Sequence, residues 1–184
     1  MNNRSGAIQK SFFVAAGMAI VLFAYGYFLP DLGGEHAPDL NFLTRMLQVP
    51  FHPVVVHFPI ALFISALFFK LAGLAFRKES FQNTAVYLYV FAALITPWIV
   101  RSGGWEADRM NLHHPLLDAH ERFALWTMWT SLMSLPVLWF IRKEYPKYFS
   151  IIFLVVVLLT AGCVVLTGDR GGRMVYEYGV GMKP

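Results

Sequence analysis

Charge is scarce in this sequence. Asp, Glu, Lys and Arg make up 14% of its 184 residues, against roughly 25% in soluble domains, which excludes a globular chain solvated on every side. Cysteine is nearly absent. The single Cys163 lies inside an apolar run, so an intramolecular disulfide and a Cys-only metal cage are excluded, and the residue reads as a small buried hydrophobe. No HExxH helix, nucleophile elbow or CxxCH motif occurs, which leaves a covalent c-type haem without support. The C-terminal glycines Gly168, Gly171, Gly172, Gly179 and Gly181 lack the strand-to-helix context and lysine pattern of a phosphate-binding loop.

Apolar residues are plentiful. They form 57% of the chain, with a mean hydropathy of +0.53, and they gather in runs over about 12–30, 53–75, 85–100, 119–141 and 150–167. At 1.5 Å per residue, such runs cross about 30 Å of hydrocarbon as helices. The expected fold is therefore an all-α integral membrane protein, a four-helix bundle over 51–184 with an additional N-terminal transmembrane helix in 1–30. Residues 31–50 read as an outer loop. The first run is long for a signal-peptide core, so it reads as a retained span. In the tail, Met174, Val175 and Tyr176 read as a short extended or interfacial segment, and the glycines around them allow the tail to fold back as a lid.

The formal charge of +4 and a pI near 9.3 do not point to nucleic acid, because the basic residues flank apolar runs. Arg4, Lys10, Lys70, Arg77, Lys78, Arg142, Lys143 and Lys147 fall on one side of the expected topology with only Glu79 and Glu144. The other nine acidic residues fall opposite. Lys and Arg favour the cytoplasmic side, so the chain is expected to start in the cytoplasm and end outside.

All six histidines, His36, His52, His57, His113, His114 and His120, lie on the outer side. This confinement predicts one polar centre there. His57 stands one turn into the second span and His120 at the start of the fourth; both spans run inward, so the two reach equal depth. Imidazoles on separate helices suit the two axial positions of a b haem, which makes His57 and His120 the expected ligands. His52 would then orient the site or meet a propionate, and Arg101 and Arg173 would neutralise propionates. Two other readings compete. His52, His57, His113, His114 and His120, with Asp108, Asp118 or Glu121, offer donors for a nonhaem transition metal. The same groups also serve a cofactor-free structural or assembly subunit in which they lock helices together. A single outer centre fits a non-catalytic redox subunit that exchanges electrons with an exported partner or a membrane quinone, in contact with lipid.

The stretches HPVVVHFPIAL, residues 52–62, and TGDRGGRMVYEYGVG, residues 167–181, resemble the bacterial membrane family called domain of unknown function (DUF) 2231. The resemblance covers the four spans from about residue 51 onward and leaves the first span as an addition. It implies a small helix bundle. Fusions of some members to cytochrome c or Rieske-type domains imply an electron-transfer setting, with a periplasmic cytochrome, a Rieske-type protein or a quinone-linked complex as partner. His52 and His57 match the family's first motif, and His120 is the counterpart of the histidine introducing the later helix. Asp169 stands where the family often has a histidine, so the resemblance implies no fourth histidine ligand from this tail.

Overall fold

A computed structural model describes residues 51–180. The expected span in 1–30, the loop in 31–50, His36 and Gly181 lie outside the described residues. Every element among the described residues is helical: α1 (Phe51–Val55), α2 (His57–Ala75), α3 (Glu79–Arg109), α4 (Pro115–Glu144) and α5 (Pro146–Tyr176). Four stretches are long and apolar enough to cross a membrane, namely His52–Ala75, Glu79–Asp108, Pro115–Glu144 and Pro146–Tyr176.

The break between α1 and α2 has a local cause. Pro59 has no N–H to give, and its ring crowds the carbonyl four residues earlier, that of Val55. The chain therefore steps at Val56, whose N–H bonds His52 O at 3.0 Å while Ile60 N–H reaches Val56 O only at 3.5 Å. Further breaks are tight turns. Arg77 (φ 52°) and Asn111 (φ 47°) adopt left-handed conformations, Pro115 opens α4, and Tyr145 alone separates α4 from Pro146. Connections this short make successive long helices antiparallel.

α2 packs along α3 and α4 along α5, and the two hairpins meet through α3 with α4 and α2 with α5. Phe63, Ala66, Tyr89, Ala92, Leu135, Phe153 and Val157 lie in the shared core. Small residues such as Ala85, Ala92 and Ala93 let backbones approach closely, as helices packed in lipid require. Large apolar side chains point outward, among them Phe68 (64% exposed), Trp126 (60%) and Leu159 (59%), the surface expected of a chain solvated by lipid. The core is pinned by polar contacts at two levels. Tyr89 Oη lies 2.9 Å from Ser134 Oγ and 3.1 Å from Thr160 Oγ1. Lys70, fully buried, donates to Gln82 Oε1 at 2.5 Å and Ser150 Oγ at 2.8 Å, joining α2, α3 and α5 near their basic ends.

Two helices run further than their apolar runs suggested. α3 continues through Gly103 and Gly104 to Arg109, and α5 continues through Gly168, Gly171 and Gly172 to Tyr176. Met174, Val175 and Tyr176 are therefore helical rather than extended. Through Tyr176 the tail reaches His120 as the continuation of α5 rather than as a lid folded back. Glycine inside a helix costs about 1 kcal/mol relative to alanine, and at two of these positions the histidines supply the compensation.

Candidate functional site: two imidazoles seated on glycines

His52 in α1 lies against α3. Its Nδ1 is 2.9 Å from Ser102 Oγ, and Ser102 gives its own hydroxyl hydrogen to the Ile99 carbonyl at 2.8 Å. With that hydrogen committed, the oxygen accepts, so His52 carries its proton on Nδ1 and keeps the lone pair on Nε2. The ring rests on Gly103: a Cβ built there would stand 3.0 Å from His52 Cε1 and 3.2 Å from Nε2.

His120 near the start of α4 lies in the same way against α5. Its Nδ1 sits 2.9 Å from the Thr167 carbonyl, which can only accept, so here too Nδ1 holds the proton and Nε2 the lone pair. Its seat is Gly171, where a Cβ would meet Cε1 at 3.2 Å and Nδ1 at 3.3 Å. A helical side chain leans toward the N-terminus and covers the carbonyl of the preceding turn. Glycine at 171 leaves Thr167 O open to a ring from another helix, and glycine at 103 does the same for Ile99 O.

The two rings face each other edge to face, their centroids 6.4 Å apart. Glu106, one turn beyond Ser102 and buried, is within electrostatic reach of His52. Two imidazoles that donate through Nδ1, with no hydrogen bond to Nε2 among the described residues, can in their neutral form hold one ion from two sides, or share a proton or hydrogen-bond donor placed between them.

The remaining expected site residues are placed otherwise. His57 is exposed and turns its Nδ1 onto Pro53 O at 2.6 Å; the histidine of α1 and α2 that lies beside His120 is His52. His114 is the N-cap of α4, its Nδ1 accepting from Leu116 N–H at 3.1 Å, and it lies against Tyr178 with centroids 4.7 Å apart. His113 is exposed and meets the Asn111 side chain at 3.3 Å. Arg101 lies over the Trp105 ring, 5.5 Å from its centroid. Arg173 is exposed and donates through Nε to both carboxylate oxygens of Glu177 at 3.1 Å. Among the described residues, no three His, Cys, Asp or Glu side chains gather as a metal-binding group.

Ser102, Glu106 and the Thr167 carbonyl are site groups that the sequence reading did not single out. Ser102 and Glu106 carried a signal, being one turn apart on the face that bears Gly103. A backbone carbonyl has no side-chain signature, and only the bare position at Gly171 hints at it. Compared with known proteins, residues 48–184 match the family model described as a predicted membrane protein, DUF2231. No curated protein and no solved structure matches the chain.

Proposed function

As a member of the DUF2231 family of predicted membrane proteins, this chain is a membrane protein, and we propose that it is a non-catalytic electron-transfer subunit whose helix bundle holds one b haem between His52 and His120. The observation that carries this reading is the pair of Nδ1-protonated rings, which leaves two Nε2 lone pairs on facing helices. The ring centroids are 6.4 Å apart, which brings both side chains within reach of one ion between them. The donor number also fits. A haem brings four equatorial nitrogens and asks the protein for two, whereas zinc sites draw three or four ligands from the protein.

A bound b haem supplies a one-electron couple. The chain's own residues do the rest: His52 and His120 would hold the iron, while Ser102 and the Thr167 carbonyl fix the tautomers, a form of support that also orients ligating histidines in metal sites. Arg101 supplies positive charge for a propionate. Arg173, which donates to Glu177, is the second such cation. The basic residues at the opposite end favour a cytoplasmic placement there, so the histidine end faces the periplasm of a bacterial inner membrane. In that position the centre exchanges electrons with a periplasmic cytochrome, a Rieske-type protein or a quinone-linked complex.

The test is a reduced-minus-oxidised visible spectrum of the full chain, purified anaerobically with its assembled complex, together with metal analysis. A low-spin b-type spectrum that gives way to a high-spin one in His52→Ala and in His120→Ala, and is kept in His57→Ala, is expected. Fully assembled protein without haem would overturn the proposal. A second reading has one observation in its favour: the direct edge-to-face contact of two rings already hydrogen-bonded within the protein suits a cofactor-free assembly subunit. In that case His52 and His120 substitutions would impair assembly without changing cofactor content.

A further inference from the structure

The two histidine seats are copies of one device. Gly103 follows His52 by 51 residues, and Gly171 follows His120 by the same interval. Each glycine is the first of a pair, Gly103-Gly104 and Gly171-Gly172. In each, the glycine bares the carbonyl four residues earlier, Ile99 or Thr167, and that carbonyl anchors the histidine of the same hairpin, through Ser102 in one case and directly in the other.

The correspondence extends along the helices. A shift of 68 residues carries His52 onto His120, the end of α2 at Ala75 to within one residue of the end of α4 at Glu144, and the start of α3 at Glu79 to within one residue of the start of α5 at Pro146. Burial keeps the same register. Phe63 and Ser131, Lys70 and Leu138, Tyr89 and Val157, Ala92 and Thr160, Ala93 and Ala161, and Thr96 and Val164 are all buried pairs at this shift. The packing is symmetric too: close contact within each hairpin and two sparser seams between them, α3 with α4 and α2 with α5. Few side chains are identical across the shift, so what repeats is geometry.

From these observations we infer that residues 52–109 and 120–177 are two tandem helical hairpins related by a pseudo-twofold axis, and that the ligand site between His52 and His120 lies on that axis. This inference rests on the haem reading above and specifies how the haem stands. Equivalent helices of the two hairpins run in the same direction, and a rotation that exchanges parallel helices has its axis parallel to them. The axis therefore runs along the membrane normal, as in membrane proteins built from parallel repeats. A ligand on such an axis offers each Nε2 an equal bonding position, and a metal with two exchangeable axial faces does so. A macrocycle held by His52 and His120 on that axis would stand on edge, perpendicular to the membrane.

The experiment uses the full chain purified with its haem, both in detergent and as oriented membrane multilayers. Electron paramagnetic resonance of the oxidised protein should show a low-spin signal, with the haem normal lying in the membrane plane. His52→Ala and His120→Ala should each convert it to high spin to the same extent, and added imidazole should restore both, which a misfolded variant would not allow. A haem plane parallel to the membrane, or low-spin signal surviving in one of the two variants, overturns the symmetric site while leaving haem binding intact. No haem in the wild-type protein overturns both.

Discussion

Alanine substitutions at the helical glycines separate the site from the helices that carry it. α5 contains Gly168, Gly171 and Gly172 within five residues, all under the same helical penalty, but only Gly171 abuts His120. Its added Cβ would stand 3.2 Å from Cε1 and 3.3 Å from Nδ1 of that ring, inside the 3.5–4.0 Å optimum for carbon contacts. The ring must retreat by a few tenths of an ångström. It is tied to Thr167 O at 2.9 Å, so retreat lengthens that bond. Weakening it costs about 1 kcal/mol, which offsets the roughly 1 kcal/mol gained by replacing a helical glycine with alanine. Gly171→Ala should therefore unfold near the wild-type temperature. At Gly168 and Gly172 a Cβ meets nothing within 4 Å, so those variants should be stabler by about 0.5–1 kcal/mol.

Ligand binding should divide the series differently. Loss of an orienting contact to a ligating histidine typically costs ten- to a hundredfold in affinity, so under the haem proposal Gly171→Ala should bind haem about that much more weakly, and Gly168→Ala and Gly172→Ala as the wild type does. Gly103→Ala, whose Cβ comes within 3.0 Å of His52 Cε1, should be the more severe of the two seat variants. Thermal unfolding in detergent and haem titration measure the two quantities separately. Equal haem affinity across all the α5 variants would refute the idea that glycine seats the ring.

Ser102→Ala removes the acceptor for His52 Nδ1–H; thermal unfolding should register a loss of about 1 kcal/mol, and haem titration should show weaker binding with the protein still folded. Gln82→Leu strips one of two acceptors from the fully buried Lys70 and should destabilise by about 1–3 kcal/mol. Lys70→Met should cost less in the same unfolding assay, because it removes the buried charge together with its need for partners. Trp105 Nε1 is buried without a hydrogen-bond partner among the described residues. Trp105→Phe should accordingly leave the unfolding temperature of the cofactor-free protein unchanged or raise it, and a clear fall would show that the indole N–H has a partner.

The four spans were legible because hydropathy over some twenty residues needs no tertiary information. Their extensions were not. Around Arg101-Ser102-Gly103-Gly104 and Asp169-Arg170-Gly171-Gly172, local propensity argues for a break, and only rings arriving from α1 and α4 make bare helix surface useful there. The gathering of His52, His57, His113, His114 and His120 at one end of the helices was likewise readable, since it needs only the order of the spans. The shared interval between each histidine and its glycine pair is also written in the chain. It is masked because the hairpins share so few side chains, and it becomes meaningful only once the structure shows each ring resting on the first glycine of its pair.

The choice between His52 and His57 turns on phase more than on depth. Five residues of α-helix rotate a side chain by about 140°, so the two histidines cannot both face the same neighbour, and equal depth with His120 does not say which one does. Pro59 helps decide it: by forcing the step at Val56, it separates α1 from α2 and lets His52 lie on α3 while α2 keeps its own packing face. His57, left on the outward side, bonds the Pro53 carbonyl. A histidine at the mouth of a proline-broken helix is thus placed by the fragment before the break. The repeat gives the same answer independently, because the shift that matches Gly103 with Gly171 carries His120 onto His52, and carries His57 onto Leu125.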